Sequence, residues 1–437
     1  MKKTLFYFFS TLSLSSSFCI HAYAAEPLNG QSVAMPAMGL QEVVLRAFET
    51  DPAVVTAAAD LGISTGEVEE ARSAWRPQVG FQAGAGGAAD DDSDFDQTRT
   101  YGLTLSQLVY DFGRTDSTID QKLALSHGKQ YGLQMAVNSV AARAIQAYLN
   151  VKRYEELKRV AEEGVSSLQK VKGIATLRVE GGLSTKSDEL QTDARIASML
   201  SQIADYDAQI AAAKAQLSVL TGVQVQALAE YPNDLKDIKT NLDSIDYSVI
   251  PEVQQVESQA EASEKGVDIA KTERLPSFRV EGQRIRYDTD DAYWDTSIQL
   301  KMDAPIYQGG AVSARVRQAE SQVKMSESQV NQARQDVLLA ASTANSTLQG
   351  TRERTVAAQR QLQSSLKSRD VYRDEYLLGN RSVNDLLSTE QEVYQAKVAV
   401  KTAMYDQWKA VIDYRTAIHQ LLPALRVQAR SDLLPDI

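Results

Sequence analysis

The sequence has 437 residues, 1 cysteine, 3 histidines and a formal net charge of −11 at neutral pH. The acidic balance argues against a nucleic-acid partner, because such a partner needs a basic surface. So few histidines and cysteines, and no nucleophile with a matching base, lead us to expect no enzymatic activity, no cofactor and no metal.

Residues 1–24 have the pattern of a secretory signal peptide. Two lysines precede an apolar run, and Ala24 and Ala25 offer small residues for cleavage. A membrane anchor is the alternative, but the run is short. A lipid anchor on Cys19 is disfavoured by the bulky Phe18 before it. The chain that follows has no cysteine and no apolar run of the ~20 residues that a spanning helix needs. We expect an exported protein, either soluble or inserted as a β-barrel.

The exported chain consists of two similar halves. Pro52 and Pro77 recur as Pro251 and Pro276, each 199 residues later. Farther on, "LVYDFGR" recurs as "APIYQGG", and "GGLSTKSDEL" as "LGNRSVNDLL", each 197 residues later. Such an ordered set of matches indicates a duplication with a period too long for a solenoid. We predict a first repeat over 26–222, a linker over 223–248, a second repeat over 249–423 and a C-terminal tail over 424–437.

Each half predicts one β-hairpin, over about 78–109 and about 277–307. Apolar and polar residues alternate in "TYGLTLSQLVY" and "YWDTSIQLKM", as in membrane β-strands of about ten residues. An amphipathic sheet on a soluble core has the same pattern. The hairpin tips, "DDDSDFD" and "YDTDDAY", are expected to be solvated acidic loops. We predict lipid contact through Tyr101, Leu103, Leu105, Ile298 and Leu300.

Each hairpin is followed by a predicted long helix, over about 115–180 and about 312–378. No proline occurs between Pro77 and Pro232 or between Pro305 and Pro423. Small and apolar residues recur there at the 3-4-3-4 spacing of coiled coils, although a helical-bundle core has this spacing too. The two rows are Leu133, Val137, Val140, Ala144, Ala147, Val151 and Tyr154, and Val316, Ala319, Val323, Ser326, Val330, Ala333, Val337, Ala340 and Ala344.

One copy of these elements is incomplete. Four strands cannot close a membrane barrel, for which about eight is the minimum, and a helical hairpin of ~100 Å cannot bury its own core. We therefore predict a mainly α fold with a small β part. Long coiled-coil helical hairpins would form a trimeric periplasmic α-barrel, topped by a transmembrane β-barrel with four strands per subunit.

The chain resembles the TolC-type outer-membrane factor family between Leu40 and Leu422. The similarity rests on "ETDPAV", "ARSAWRPQV", "LVYDFGR", "AYLNV" and "LSVLTG", and on "KTERLPSF", "APIYQGG" and "YLLGNRSVNDLL". The resemblance implies a homotrimeric channel in outer-membrane lipid that extends into the periplasm. It implies as partners a periplasmic adaptor and an inner-membrane transporter, either ABC-type or proton-driven. It also implies that the linker packs around the middle of the helical barrel.

The resemblance also implies functional residues. The adaptor-docking turns would be Gly182, Leu183 and Ser184, with Gly379, Asn380 and Arg381. The periplasmic entrance constriction would be Ser187, Asp188 and Asp385. Ser388 stands where some relatives have a further acidic residue. For Asp188 the alternative is a helix-start charge that complements the helix dipole.

Two classes of function stay open. The first is an export duct, which would serve type I protein secretion or, alternatively, multidrug efflux. The absence of a lipid-anchor cysteine in the exported chain favours a secretion component. The second class is a periplasmic coiled-coil scaffold without a pore. Strands that insert into a membrane would distinguish the duct from the scaffold.

Overall fold

The computed structural model describes residues 37–88, 96–242, 245–288 and 292–425. The predicted signal peptide, most of the two acidic hairpin loops and almost all of the C-terminal tail lie outside these residues. The described chain is mainly helical with a small antiparallel sheet, which confirms the predicted fold class for a single chain. No helix in these ranges combines the length and apolarity needed to cross a membrane.

The two halves have the same order of elements: helix, hairpin, long helix, returning helix. The helices α2 and α5 both have 22 residues and begin at proline. Proline suits the first helical position because it lacks the N–H that would have no helical partner there. The helices α3 and α6 both have 67 residues. The bounds are α1 Leu40–Thr50, α2 Pro52–Ser73, β1 Gln78–Ala88, β2 Asp96–Tyr110, α3 Arg114–Glu180, α4 Lys186–Thr221, α5 Pro251–Thr272, β3 Ser277–Asp288, β4 Tyr293–Asp303, α6 Ala311–Leu377, α7 Val383–Ala417 and α8 Leu421–Leu425.

The two hairpins form one four-stranded sheet in the order β1–β2–β3–β4, antiparallel throughout. The strand β4 ends at Asp303, four residues before the predicted boundary at about 307. Ser277 pairs with Asp303, and the preceding Pro276 has no N–H with which to continue the ladder. Tyr307 therefore lies in a loop and is 86% exposed, whereas its counterpart Tyr110 is the last residue of β2.

Two successive left-handed residues turn the chain from each hairpin into the long helix. Gly309 and Gly310 have φ angles of 61° and 84°, and Phe112 and Gly113 have φ angles of 59° and 84°. Glycine adopts this conformation without a steric penalty, whereas a phenylalanine there is strained. The Phe112 ring packs on Tyr110 with ring centroids 4.7 Å apart, a contact that helps to hold the strained residue.

The predicted row of α3 faces the core, but the predicted row of α6 is wrong at Ala340. In α3, six of the seven predicted residues are buried and Tyr154 is half-buried. In α6, Ala340 is exposed and Ala341 is buried instead. The extra step of four residues shifts the inward stripe around the helix. The shift is needed because Val337 packs near Val253 of α5, whereas Leu348 packs against α7.

The linker between the halves packs against the middle of α3. Tyr148, halfway along α3, donates a hydrogen bond to the carbonyl of Ala229. Tyr231 stacks on Trp408 of α7 with ring centroids 5.3 Å apart. Arg415 donates to the carbonyl of Asp234 at 3.2 Å. Side chains therefore join the linker to α3 of the first half and to α7 of the second half.

Candidate functional site

The turn between α3 and α4 is built on a left-handed glycine. Gly182 has φ 70°, and its N–H donates to the carbonyl of Val179 at 3.0 Å. The N–H of Leu183 donates to the carbonyl of Arg178 at 2.8 Å. These two bonds form a Schellman motif, which pairs the last helical carbonyls and reverses the chain. Leu183 is left 71% exposed at the tip.

The turn between α6 and α7 has the same construction 197 residues later. Gly379 has φ 82°, and its N–H donates to the carbonyl of Tyr376 at 3.1 Å. The N–H of Asn380 donates to the carbonyl of Glu375 at 2.9 Å. Arg381 forms an ion pair with Glu375 at 2.8 Å, so this turn is also tied to its own helix. The six residues predicted for docking thus lie on two equivalent turns.

Arg178 joins the two turns. Its Nη1 donates to the carbonyls of Tyr376 at 2.8 Å and Leu377 at 3.3 Å, both at the end of α6. Its Nη2 donates to the carbonyl of Leu183 at 3.5 Å. The guanidinium carbon also lies 4.9 Å from the centre of the Tyr376 ring. One cation on the first hairpin therefore binds helix-end carbonyls of the second, where the helix dipole is negative.

Sequence reasoning missed Arg178, although a signal was present. The equivalent position of the second half is Glu375, so the charge reverses between the two copies of the repeat. Glu375 pairs within its own turn, whereas Arg178 reaches across to the other turn. A charge reversal at equivalent positions indicates that the two turns have different partners.

The residues predicted for the entrance lie in the first turns of α4 and α7. Ser382 and Asp385 form a capping box: each side chain accepts a hydrogen bond from the other residue's N–H, at 3.2 Å in both cases. The Ser382 hydroxyl and then the Ser382 N–H both donate to the Asp385 carboxylate, and these two bonds lower the pKa of Asp385. Asp188 accepts a hydrogen bond from Ser184, and Ser187 is exposed. Both aspartates thus have a local role at a helix start.

Tyr376 lies beneath the contact between the turns. Its side chain is 1% exposed. Burial raises the pKa of the Tyr376 hydroxyl, and the nearby Asp188 carboxylate raises it further. The negative Asp188 and the positive Arg178 therefore both lie near one buried ring that belongs to the other hairpin.

The sheet has one apolar face, and it holds all five residues predicted to contact lipid. Sequence reasoning missed two residues of β1 on the same face: Val79 pairs with Leu105, and Phe81 pairs with Leu103. Glycine and alanine dominate the rest of that strand, which weakened its alternating pattern. The exposed fractions of the predicted five are 45% for Tyr101, 57% for Leu103, 40% for Leu105, 81% for Ile298 and 66% for Leu300.

Both outer edges of the sheet are open in the described chain. The strands β1 and β4 each pair on one side, with β2 and β3 respectively. Their other edges have rows of N–H and C=O groups without a strand partner. Over the described ranges, no three histidine, cysteine or acidic residues are grouped so as to hold a metal ion. The features that stand out are therefore a sheet face, two sheet edges and two joined turns.

Comparison with known proteins agrees with these features. The family model described as "Outer membrane efflux protein" matches residues 43–223 and 250–418, which are the two halves of the chain. The chain belongs to the outer membrane efflux protein family. The resemblance to TolC-type outer-membrane factors is thereby confirmed. This is a family of outer-membrane export channels and not of enzymes.

Among curated relatives of this family member is the outer membrane efflux protein BepC of Brucella suis. It is 21% identical over 374 residues, which cover 84% of this chain and 82% of BepC. The outer membrane protein TolC of Escherichia coli is 22% identical over 419 residues, which cover 90% of this chain and 85% of TolC. Both relatives are therefore matched over most of their length.

Solved structures show the same fold. The structure of CusC, which concerns folding and transmembrane channel formation, has a TM-score of 0.77 at 17% identity, over 90% of this chain and 97% of CusC. The outer membrane protein VceC of Vibrio cholerae has a TM-score of 0.72 at 15% identity, over 87% of this chain and 95% of VceC. Identities this low establish the fold alone.

Proposed function

We propose that this chain forms, as a homotrimer, the outer-membrane duct of a tripartite export system. The observation that carries the proposal is a four-stranded sheet with an apolar exposed face and two open edges. Unpaired backbone groups cannot face lipid, so such a sheet needs neighbours on both sides in a membrane. Pairing β4 of one copy with β1 of the next would satisfy both edges. The predicted signal peptide at 1–24 would direct export.

The strand count requires at least two copies, and the resemblance to TolC-type outer-membrane factors implies three. About eight strands is the working minimum for a membrane barrel, and three copies would supply twelve. Purification of the full chain in detergent, followed by native mass measurement, should give three copies. Two copies would contradict the proposed trimer. A stable water-soluble monomer would contradict membrane insertion as well and would favour the scaffold.

The helical hairpins would extend from the outer membrane into the periplasm, with the turns at their far ends. We propose that the turns Gly182–Ser184 and Gly379–Arg381 dock a periplasmic adaptor, which connects to an ABC or proton-driven transporter. The support is their shared geometry, since three copies would present six similar turns. Leu183 and Leu378 are 71% and 76% exposed there, so apolar surface is available for a partner.

We propose that Ser187, Asp188 and Asp385 line the entrance. The support is their equivalent placement just past the turns, so that three copies would bring six carboxylates to one end. Like charges held close together repel and favour binding of divalent cations. Replacing both aspartates by alanine should raise single-channel conductance in planar bilayers and weaken block by divalent cations. Asp374→Ala, at a carboxylate that is 72% exposed on α6, is the matched control.

The outcome can also separate the two roles of these aspartates. If the double variant conducts and is blocked like the parent, the carboxylates are helix-start charges and the gate lies elsewhere. A role limited to the helix start would appear instead as faster amide exchange in the first turns of α4 and α7, with unchanged conductance.

The cargo separates two forms of the duct. We propose protein secretion first, because the exported chain has no lipid-anchor cysteine. Drug efflux is the second candidate, favoured by the name of the relative BepC as an efflux protein. If the duct serves protein secretion, deletion of the gene should abolish export of a protein substrate. If the duct serves drug efflux, the deletion should raise the sensitivity of the cell to drugs. If deletion changes neither protein export nor drug sensitivity, and the protein is found outside the outer-membrane fraction, the scaffold would be favoured.

A further inference from the structure

Three arginines lie on the apolar face of the sheet, near its hairpin-tip end. Arg284 pairs with Leu103, Arg286 with Tyr101, and Arg99 with Asp288. Directly paired residues point to the same face of a sheet. The arginines therefore share the face that carries the residues proposed to contact lipid.

The three side chains are close enough to serve one ligand. Arg284 and Arg286 are two residues apart on one strand, and therefore about 7 Å apart. Arg99 lies diagonally across from Arg286, about 7–8 Å away. The guanidinium carbons of Arg284 and Arg286 lie 5.0 Å and 5.7 Å from the centre of the Trp294 ring. Tyr101 meets the same ring edge-on at 6.2 Å.

These cations have no anionic partner in the described chain. No ion pair joins Arg99, Arg284 or Arg286 to a described carboxylate, and Asp288 is the one acidic residue at the described positions of this face. The cluster thus keeps a charge of about +2. On the opposite face, by contrast, Lys301 is paired with Glu281 at 3.6 Å.

The depth of the cluster matches the boundary of a membrane. Arg284 and Arg286 lie 7 and 9 residues along β3 from Ser277, and Arg99 lies 11 residues from the end of β2. At about 3.3 Å per residue and a tilt of about 40°, the three lie roughly 18–28 Å above the helical end of the sheet. The apolar band of a membrane barrel is about 25 Å tall, and aromatic residues mark its borders. The cluster therefore falls where the outer leaflet's headgroups begin.

We propose that Arg99, Arg284 and Arg286, backed by the Trp294 ring, bind the phosphate groups of a lipid in the outward-facing leaflet. This inference rests on the proposed insertion of the sheet in the outer membrane. Guanidinium groups bind phosphate oxygens through paired N–H donors, and a lipid supplies phosphate at the depth where the cluster lies. The apolar residues below the cluster, such as Leu105 and Val79, would contact the acyl chains of the same lipid.

The test uses the full chain purified in detergent, titrated with lipid A that carries two phosphates and followed by native mass measurement. Dephosphorylated lipid A and inorganic phosphate serve as comparison ligands. The variant Arg284→Gln/Arg286→Gln should bind the phosphorylated lipid about thirtyfold more weakly, at roughly fivefold per arginine. Arg279→Gln, on the same strand but the opposite face, should bind like the parent. Arg284→Lys/Arg286→Lys keeps the charge but loses the planar fork, so it should bind more weakly than the parent and more tightly than the glutamine variant.

The results separate this inference from the proposed function. If the parent inserts in vesicles and conducts ions, but binds phosphorylated and dephosphorylated lipid A equally, the lipid site is refuted and the duct stands. Competition by inorganic phosphate at millimolar concentration would show a free-anion site and also refute it. If the parent does not insert at all, both proposals fail. Should the glutamine variant fail to assemble, the lysine variant and the parent's preference between the two lipids decide the question.

Discussion

Replacing Arg178 by alanine should separate the two turns. The change removes one short hydrogen bond to the second hairpin, of 2.8 Å, two longer bonds, and the contact with the Tyr376 ring. A hydrogen bond to a charged group contributes about 1.5–3 kcal/mol, and a cation–π contact at a partly exposed site about 0.5–1 kcal/mol. The loss of about 2–4 kcal/mol corresponds to roughly 30- to 1000-fold in the ratio of separated to joined turns.

Spin labels measure this separation directly. Labels at Lys186→Cys and Asp374→Cys report the distance between the start of α4 and the end of α6, and both positions are exposed. Arg178→Ala should add a population at longer distance, and Arg178→Lys should give an intermediate result, because lysine keeps the charge but loses the planar fork. Arg381→Ala is the matched control, since Arg381 pairs within its own turn. An unchanged distance distribution in Arg178→Ala, or an equal shift in the control, would refute the reasoning.

Three further predictions concern the sheet, the turns and the helix start. Leu105→Arg, near the midplane of the membrane, should destabilise the assembled barrel by about 2–4 kcal/mol. Ser106→Arg, on the other face of the sheet, should not. Heat-modified mobility on gels measures the difference. Gly379→Val places a β-branched residue at φ 82° and should abolish export while trimers persist; Gly350→Val, in open space on α6, should export normally. Hydrogen bonds lower the pKa of Asp385 below its ordinary 3.8, so the capping box stabilises α7 above that pH. Its stabilisation should be lost as the pH falls through the lower folded value, seen as amide exchange confined to the first turn of α7.

The features that the sequence predicts well are those set by local chemistry. The turns at Gly182 and Gly379 need a left-handed residue, and glycine marks them without reference to any partner. The strands follow from the period-two alternation, and the β2 end at Tyr110 lies one residue from the predicted boundary. Each of these features depends on a few neighbouring residues, so a linear pattern carries the information.

The features that the sequence did not predict depend on distant partners. The inward stripe of α6 moves from Ala340 to Ala341 because the helix exchanges one neighbour for another along its length. Arg178 reaches carbonyls that lie 198 and 199 residues away in the chain. Neither the change of neighbour nor the approach of two turns is encoded in a period of seven residues.

The two long helices differ in how much a single chain buries them, and this difference supports assembly. Among the described residues, α3 has 20 buried residues and α6 has 7 over the same length of 67. The helix α3 contacts α1, α2, α4, α5 and α7, whereas α6 contacts mainly α5 and α7. Apolar residues of α6 such as Leu339 and Val371 stay 66% and 54% exposed. A water-soluble scaffold would gain nothing from such positions, but copies packed side by side would cover them. The incomplete burial of α6 and the open edges of the sheet therefore both support the proposed ring of identical subunits.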